Sequence, residues 1–340
     1  MSSNRPSGQK PSGQKRRKGR AVNGVLLLNK SAGMTSNAAL QQAKRLFFAD
    51  KAGHTGSLDP LATGVLPICF GEATKFSQFL LDADKQYRST FCLGVETTTG
   101  DADGEIVKVT DASGLSKERV EQALQRFIGD IEQVPSMYSA IKHQGQPLYK
   151  LARQGKEIER QARSISVFSI DVLDFRPGSV VEMPATVAEK KAAQLDVHVH
   201  CSKGTYIRSI ASDLGQVLGC GGHVSALHRV ASAEFNDDEA LTLDQLSSER
   251  GEQRAEVLDH HLLPMEIPAN HLPALELPEQ SSFYFRQGQA VMDPEVGSIG
   301  DVGQLLRIYD QALGFIGVGE ITDDVRVKPK RLVVFPAETA

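Results

Sequence analysis

The sequence has no apolar run near the ~18 residues of a transmembrane helix, which argues against a helical membrane protein. Its basic N-terminus is not followed by an apolar stretch, so the pattern of a secretory signal is absent too. The four cysteines (Cys69, Cys92, Cys201 and Cys220) are far apart and form no CxxC pair. We therefore expect reduced, mostly buried thiols in a cytoplasmic protein.

Motifs for nucleotide and metal binding are also missing. No GxxxxGK[ST] phosphate loop is present. The segment DADG at 101–104 resembles part of a calcium loop, but Thr99 occupies the first position that requires an acidic residue, so we predict a turn. On a strand, His198 and His200 face away from Cys201, and this divergence argues against zinc binding. We expect no metal and no cofactor.

Positive charge is scarce in the body of the chain and dense at its start. The net charge is −4, yet residues 1–20 carry seven basic residues and no acidic ones. The remaining chain holds 31 basic against 42 acidic residues, a net charge of −11. A tail of this kind either improves solubility or attracts polyanions. If the body binds nucleic acid, its cations must be concentrated on one face.

The length of 340 residues predicts two domains, because one core rarely extends over so long a chain. Residues 1–20 repeat PSGQK and are expected to be disordered. Residues 21–263 are predicted to form the first domain, with a loop insertion near 177–193. A proline-rich linker and short strands with glycine turns predict a small β-barrel or sandwich within 264–340.

Strand and helix patterns alternate through the first domain. GVLLLNK from Gly24 predicts a buried strand, and Thr35 or Ser36 is expected to cap the helix that follows. YRSTFCLG, SISVFSIDVLDF and AQLDVHVHCS predict further strands. A helix is predicted over 116–128, beginning at Ser116.

The segment GHTGSLDPLATG surrounds one acidic residue, Asp59, with turn-forming residues. Pro60 excludes the helical region for Asp59, and Gly53, Gly56 and Gly64 permit unusual backbone angles or close approach of another segment. Two interpretations remain open at this point. Asp59 either satisfies N–H groups within an elaborate turn or is a catalytic carboxylate that the turn presents.

Other candidates are not diagnostic one by one. Arg208 lies where a strand gives way to a helix, and Tyr87 and Tyr206 are compatible with ordinary sheet aromatics. The segment 135–163 is the richest in cations within the body and also holds tyrosines: its residues of these types are Tyr138, Lys142, Tyr149, Lys150, Arg153, Lys156, Arg160 and Arg163.

Taken together, seven segments resemble the bacterial TruB-type tRNA pseudouridine-55 synthases. In chain order they are GVLLLNKSAGMTSN, KAGHTGSLDPLATGVLPICFGEATK, YRSTFCLG, TTTGDADG, PSMYSAIKHQGQPLYKLARQG, CSKGTYIRSIASDLG and GGHVSALHR. The chain departs from the family at the insertion near 177–193 and at Ala233, where relatives often carry glycine. The basic tail lies outside the resemblance.

The resemblance implies a mixed α/β (α+β) pseudouridine synthase fold with a central, largely antiparallel sheet and a small C-terminal PUA-like β-barrel. It also implies an isomerase that converts uridine 55 in the T loop of tRNA into pseudouridine, using Asp59 on a flipped-out nucleotide. That reaction is redox-neutral and needs no cofactor, in agreement with the missing motifs. The implied partner is the tRNA T stem-loop, and we expect a cytoplasmic monomer that does not bind membranes.

Roles in the reaction follow for three residues by the same resemblance. Arg208 is expected to pair with Asp59 and to hold it ionised. Tyr87 is expected to stack on the target uracil and to help with the final proton at C5.

Further roles concern the binding of the substrate. Tyr206 and Leu227 are expected to supply apolar walls, and His54 to fill the gap left by the flipped uridine. Lys30 is expected either on a phosphate or as a structural partner. The tRNA stem-loop is expected to contact the cation-rich segment, in particular Lys142, Tyr149 and Arg153.

Two other functions stay open at the level of sequence. The basic tail and the C-terminal barrel are also compatible with an RNA-binding or RNA-chaperone protein, although such a protein would not need Asp59, Tyr87 and Arg208 together. A pseudouridine synthase that acts on another RNA is the second alternative.

Overall fold

The computed structural model describes residues 19–179 and 191–335. The strands of its first unit are β1 (Gly24–Lys30), β2 (Ala52–His54), β3 (Thr63–Phe70), β4 (Lys85–Leu93), β5 (Val95–Thr97), β6 (Ile106–Val109), β7 (Gly129–Gln133), β8 (Lys142–His143), β9 (Gln146–Pro147), β10 (Arg163–Ser179), β11 (Ala192–Cys201), β12 (Gly222–Ser232) and β13 (Phe235–Asn236). The helices of this unit are α1 (Ser36–Leu46), α2 (Ser77–Asp82), α3 (Lys117–Leu124), α4 (Leu148–Ala152), α5 (Ile207–Leu218) and α6 (Leu243–Arg250).

The second unit has one sheet and two short helices. Its elements are β14 (Ala274–Leu277), α7 (Glu279–Arg286), β15 (Val291–Met292), α8 (Val296–Ile299), β16 (Leu305–Asp310), β17 (Gly314–Ile321) and β18 (Arg326–Leu332). Short 3-10 helices cover Gly71–Lys75, Gln125–Phe127, Asp237–Glu239, Ala255–His261 and Ile267–Ala269.

Nine strands of the described residues form the central sheet. Its main order is β1–β3–β12–β4–β11–β10–β7, with β2 paired to β3 and β13 paired to β12. Neighbouring strands run antiparallel, apart from β3 and β12, which pair in parallel at Thr63 and Gly64. The predicted mixed α/β fold with a largely antiparallel central sheet is confirmed.

β1 is an end strand of the sheet order, yet apolar side chains cover both of its faces. Leu26 and Leu28 pack into the main core with α1 and α5, whereas Val25 and Leu27 belong to a second cluster on the other face. All four side chains are buried. A strand covered on both faces has a continuous apolar sequence, as GVLLL does.

The predicted helix starts are confirmed by their caps. The side chain of Thr35 accepts a hydrogen bond from the Ala38 N–H, so Thr35 is the N-cap of α1. Ser116 caps α3 in the same way, accepting from the Arg119 N–H. The α3 helix ends at Leu124 and continues as a 3-10 helix to Phe127, close to the predicted end.

The C-terminal sheet has the order β14–β16–β17–β18–β15. Phe285 of α7 is buried in its apolar core. Within the described residues β14 and β15 remain the two edges, so the predicted PUA-like barrel is present as a half-barrel. The two units are in contact, since the Phe76 and Phe315 rings lie 5.0 Å apart and Lys75 donates to the Leu332 carbonyl.

Two predicted segments fall largely outside the described residues, namely the disordered tail and the loop insertion near 177–193. Arg20, the last residue of the predicted tail, contacts the folded body. Its guanidinium donates to the Phe47 carbonyl at 2.8 Å and pairs with Asp259. Strands β10 and β11 also extend into the predicted insertion, as far as Ser179 and Ala192.

The four cysteines are free and buried, as predicted. The alternation along β11 is confirmed too, because Val199 and Cys201 are buried whereas His198 and His200 are half-buried on the other face. No helix of residues 19–179 and 191–335 combines the length and the apolar character needed to cross a membrane.

Ala233 adopts a backbone conformation that usually requires glycine. It is the first residue of the two-residue loop between β12 and β13, and its φ is +55°. Its N–H donates to the Asp84 carbonyl, which holds the loop in this conformation. For a residue with a Cβ atom the left-handed region costs about 1–2 kcal/mol. A glycine at this position would avoid that cost.

We expect Ala233→Gly to raise the free energy of unfolding by about 0.5 kcal/mol, because the relieved strain exceeds the entropy that glycine adds to the unfolded chain. Thermal or denaturant unfolding measures the change. Ala83→Gly is the matched control, since Ala83 is also half-buried but has φ −70°. The control is expected to lose about 0.5–1 kcal/mol. Equal losses in both variants would contradict the strain at Ala233.

Candidate active site

The loop between β2 and β3 holds Asp59 in place through its two neighbours. The Ser36 hydroxyl accepts from the Leu58 N–H at 2.7 Å and lies 3.0 Å from the Leu58 carbonyl, to which it donates. On the other side, the Gly33 N–H donates to the Pro60 carbonyl at 2.9 Å. Ser36, one of two candidates for the helix cap, therefore anchors this loop instead. The β2–β3 loop is therefore a hydrogen-bonded turn that also fixes the position of the Asp59 carboxylate.

Lys30 also stabilises the β2–β3 loop through hydrogen bonds to main-chain carbonyls. Its ammonium group donates to the carbonyls of Ser31 and Met34 at 2.9 Å and to the Pro60 carbonyl at 3.3 Å. The side chain is fully buried, and this burial lowers the pKa of Lys30 to about 8. Of the two roles expected for Lys30, the position favours the structural partner over the phosphate contact.

Asp59 forms a two-pronged ion pair with Arg208 of α5. Nη2 of Arg208 donates to Oδ1 at 3.0 Å, and Nε lies 2.8 Å from Oδ2. The Arg208 side chain is only 4% exposed, whereas that of Asp59 is 32% exposed. The carboxylate thus has one side held by a buried cation and another side open.

Arg208 is itself clamped by a second carboxylate, Asp101. Nη1 of Arg208 lies 3.3 Å from Oδ2 of Asp101, whose side chain is 5% exposed. The guanidinium also donates to the carbonyls of Thr99 and Tyr138, at 3.0 and 2.9 Å. Asp101 in turn accepts from the Thr99 hydroxyl and the Asp103 N–H. These contacts leave the guanidinium little freedom to move.

Sequence reasoning missed Asp101. The predicted turn at DADG is present, with the Gly104 N–H donating to the Asp101 carbonyl. Turn formation and ion pairing use different atoms of the same residue, so the turn prediction concealed the second role. The available signal was the position of Asp101 inside TTTGDADG, one of the segments that carry the resemblance.

Opposing effects act on the ionisation of Asp59. Burial raises its pKa above the ordinary range, the positive charge of Arg208 opposes that rise, and the negative charge of Asp101 adds to it. The ordinary carboxyl pKa of ~3.9 is therefore a poor guide to this group. Arg208 is the main group that favours the ionised form.

The open side of Asp59 faces a cavity of about 430 Å3. This volume lies in the range of ligand pockets. The side chains that bear on its chemistry are Asp59, Tyr87, Tyr206, Arg208, Leu227 and Arg229. The structure thus brings together five residues that the sequence singled out, from segments far apart in the chain.

Arg229 is the second residue that sequence reasoning missed. It is the cross-strand neighbour of Tyr87, is 1% exposed and donates from Nε to the Val65 carbonyl at 2.7 Å. Burial raises the pKa of Tyr87, and the charge of Arg229 opposes this rise. The raised pKa disfavours the phenolate, the form of Tyr87 that could accept a proton, and Arg229 is the group beside it that favours this form.

The close approach of β12 to β3 depends on Gly64. Its φ is +102°, and a Cβ atom there would lie 2.2 Å from the Arg229 carbonyl oxygen. Only glycine accommodates both the backbone angle and the contact. The glycine expected from sequence to permit close approach does so here, and it places Arg229 beside the cavity.

His54 does not line the cavity that Asp59 faces. It is half-buried at the end of β2, and its buried Nδ1 has no hydrogen-bond partner among the described residues. Burial lowers the pKa of His54, and the nearby charge of Arg229 lowers it further. The imidazole is therefore uncharged at neutral pH.

The cation-rich segment adjoins the cavity. Ser139 and Ile141 line the cavity, and the chain then forms the β8–β9 hairpin and α4. Lys142 and Arg153 are exposed, and the Arg153 guanidinium lies 5.7 Å from the centre of the half-buried Tyr149 ring. These three predicted residues are not among those that line the cavity.

We expect Arg208→Ala to lower the free energy of unfolding by about 3 kcal/mol at pH 7, because it leaves the carboxylates of Asp59 and Asp101 without their shared cation. The missing cation raises the pKa of Asp59 in the folded state, because the charge of Arg208 no longer opposes the rise that burial causes. Protonation at low pH then relieves the repulsion, so the loss is expected to shrink toward pH ~4. Denaturant unfolding at several pH values measures it.

Arg88→Ala, an exposed arginine on β4, is the matched control and is expected to change stability by less than about 0.5 kcal/mol. If the loss of unfolding free energy in Arg208→Ala does not vary with pH, repulsion between two unpaired carboxylates is not its cause.

Three family models match the chain in succession. They are the TruB family pseudouridylate synthase N-terminal domain over residues 44–207, the tRNA pseudouridylate synthase B C-terminal domain over 208–269, and the pseudouridine synthase II TruB C-terminal domain over 273–333. Together they cover most of the described residues.

Curated relatives match over nearly their full length. The tRNA pseudouridine synthase B of Saccharophagus degradans is 56% identical over 94% of this chain and 99% of its own. That of Pseudomonas aeruginosa is 51% identical, over 92% and 97% respectively.

Solved structures show the same fold at lower identity. An H/ACA RNP bound to a substrate RNA containing 2′-deoxyuridine matches with a TM-score of 0.64 at 23% identity, over 92% of this chain and 85% of that one. An archaeal box H/ACA sRNP Nop10–Cbf5 complex matches with a TM-score of 0.63 at 21% identity, over 95% and 93%.

Proposed function

The chain belongs to the TruB family of pseudouridine synthases, enzymes that isomerise uridine in tRNA, and from this premise we propose that its target is uridine 55 of the T loop. The observation that carries the proposal is the Asp59 carboxylate, aimed into the cavity and held from behind by buried Arg208. The RNA-chaperone alternative leaves this costly buried arrangement without a purpose.

The reaction needs an anion next to the sugar or base. The N1–C1′ bond breaks, the uracil turns, C5 joins C1′, and the proton lost from C5 is balanced by one gained at N1. Breaking a glycosidic bond leaves an electron-poor sugar, which a carboxylate stabilises or traps as in glycosidases. Asp59 has this role, and Arg208 keeps it ionised and correctly oriented.

The remaining cavity residues hold the base. Tyr87 stacks on the uracil and assists proton removal from C5, helped by Arg229, while Tyr206 and Leu227 form the apolar walls. Because C5 and N1 are inaccessible within a stacked loop, the uridine must flip out to reach Asp59. His54, uncharged and just outside the cavity, fills the space that the uridine leaves.

The tRNA stem-loop lies along the cation-rich segment. Lys142 and Arg153 contact phosphates, and Tyr149 offers a stacking surface. Cations gathered on this face reconcile RNA binding with a body of net charge −11. Residues 21–263 form the catalytic domain and 264–340 the linker and RNA-binding domain of a monomer.

We expect Asp59→Asn to abolish product while tRNA affinity changes less than about tenfold, because the carboxylate acts on the transition state. The assay incubates the full chain with an unmodified tRNA transcript, without cofactors, and maps pseudouridine. Asp103→Asn, an exposed acid two residues from Asp101, is the matched control and should retain turnover.

The same assay separates the alternatives. Binding without product from the unaltered protein would favour the RNA-binding protein. Product at another position, or only in another RNA, would favour a different synthase substrate. Retained turnover in Asp59→Asn would exclude Asp59 as the catalytic residue.

We propose that the basic tail attracts RNA without sequence preference. Deleting residues 1–18 removes the tail but keeps Arg20 and its pair with Asp259. The deletion is expected to weaken tRNA binding mainly at low salt and to flatten its salt dependence. Unchanged binding across the salt range would leave the tail a solubility element only.

A further inference from the structure

We propose that Glu249, His260 and His261 form a surface site for Zn2+ that is separate from the Asp59 cavity. Glu249 lies in the last turn of α6, and the two histidines end the 3-10 helix Ala255–His261. One potential ligand atom from each residue lies within 4.8 Å of the other two. Among the described residues this is the one group of three or more such side chains at that spacing.

The histidine tautomer is the first reason to assign a cation here. Nδ1 of His260 lies 2.9 Å from the Val257 carbonyl, which can only accept a hydrogen bond, so Nδ1 carries the hydrogen. In the neutral ring Nε2 then presents a lone pair, and it lies 3.4 Å from Oε1 of Glu249. The lone pairs of His260 Nε2 and Glu249 Oε1 repel each other unless a proton or a metal ion lies between them.

The backbone contact of His260 is also typical of metal-binding histidines. Such a residue usually donates its second ring N–H to a carbonyl or carboxylate, which sets the ring orientation and leaves the other nitrogen for the metal. The Val257 carbonyl has this role for His260. His260 is therefore oriented for binding before any ion arrives, although its side chain is 62% exposed.

Distances and charge fit Zn2+. Bonds of ~2.0–2.1 Å in a tetrahedral site place adjacent ligand atoms about 3.3 Å apart. The His260–Glu249 distance of 3.4 Å already matches, and the His261–Glu249 distance of 2.7 Å is a hydrogen bond that must open slightly. The two carboxylate oxygens each face one imidazole, and the centres of the two rings, which are tilted by 41°, lie 3.9 Å apart.

Binding requires only a small rearrangement at His261. Its Nε2–H donates to Oε2 of Glu249 when no metal is bound, and the hydrogen moves to Nδ1 when Nε2 binds the ion. Two imidazoles and one carboxylate suit Zn2+, and water completes the tetrahedron. The four cysteines are buried and do not compete for an ion at the surface.

A metal ion at this site would link α6 to the 3-10 helix Ala255–His261. The same 3-10 helix carries Asp259, which pairs with Arg20. A bound ion would therefore fix this helix relative to α6 and stabilise the junction below the basic tail. It plays no part in the isomerisation, so this proposal stands or falls independently of the proposed function.

Calorimetric titration of the untagged full-length protein with ZnCl2 tests the site. We expect one ion per chain and a higher midpoint of thermal unfolding with Zn2+. Glu249→Gln, His260→Ala and His261→Ala should each weaken binding by about tenfold or more. All three side chains lie outside the proposed catalytic and RNA-binding residues, so turnover of tRNA confirms that each variant is folded.

His143→Ala, which removes an exposed histidine from the β8–β9 hairpin, is the matched control and should bind Zn2+ as the unaltered protein does. Titration with Co2+ adds a spectroscopic test, since a tetrahedral site gives intense visible absorption. Absence of binding would overturn the proposal. So would binding that survives all three ligand substitutions, or a loss of the same size in His143→Ala.

Discussion

A buried guanidinium between two carboxylates is the interaction on which the site depends. Arg208 is almost fully removed from solvent and contacts Asp59 on one side and Asp101 on the other. A cation in this position is tolerated only because both acids and two main-chain carbonyls satisfy it. The arrangement therefore fixes three segments at once: the β2–β3 loop, the turn before β6 and the first turn of α5.

The rest of the fold keeps these segments in register. Asp59 and Arg208 are 149 positions apart in the chain, and the central sheet brings them together. Ser36 and Lys30 secure the loop on either side of Asp59, and Gly64 admits β12 close enough to place Arg229 next to Tyr87. Each support acts on main-chain atoms, which leaves the Asp59 carboxylate open toward the cavity.

Burial changes the ionisation of two side chains in the site. It raises the pKa of Asp59 and of Tyr87. Arg208 and Lys30 oppose the rise at Asp59, and Arg229 opposes the rise at Tyr87. Groups held in ionisation states that their surroundings disfavour are typical of catalytic sites. The buried cations Lys30, Arg208 and Arg229 are thus as much a part of this site as the carboxylate they surround.

Local chemistry was enough to predict many elements from the sequence alone. The caps at Thr35 and Ser116, the alternation of β11 and the turn at DADG depend on neighbours within a few residues, so their patterns are visible in the chain. The resemblance extended this to the pair of Asp59 with Arg208. Tertiary structure alone decided that Asp101 completes the clamp, that Ser36 anchors a loop rather than a helix, and that Glu249 meets two histidines. Such contacts join residues whose separation along the chain carries no periodic signal, because only packing of the sheet and helices sets the distance between them.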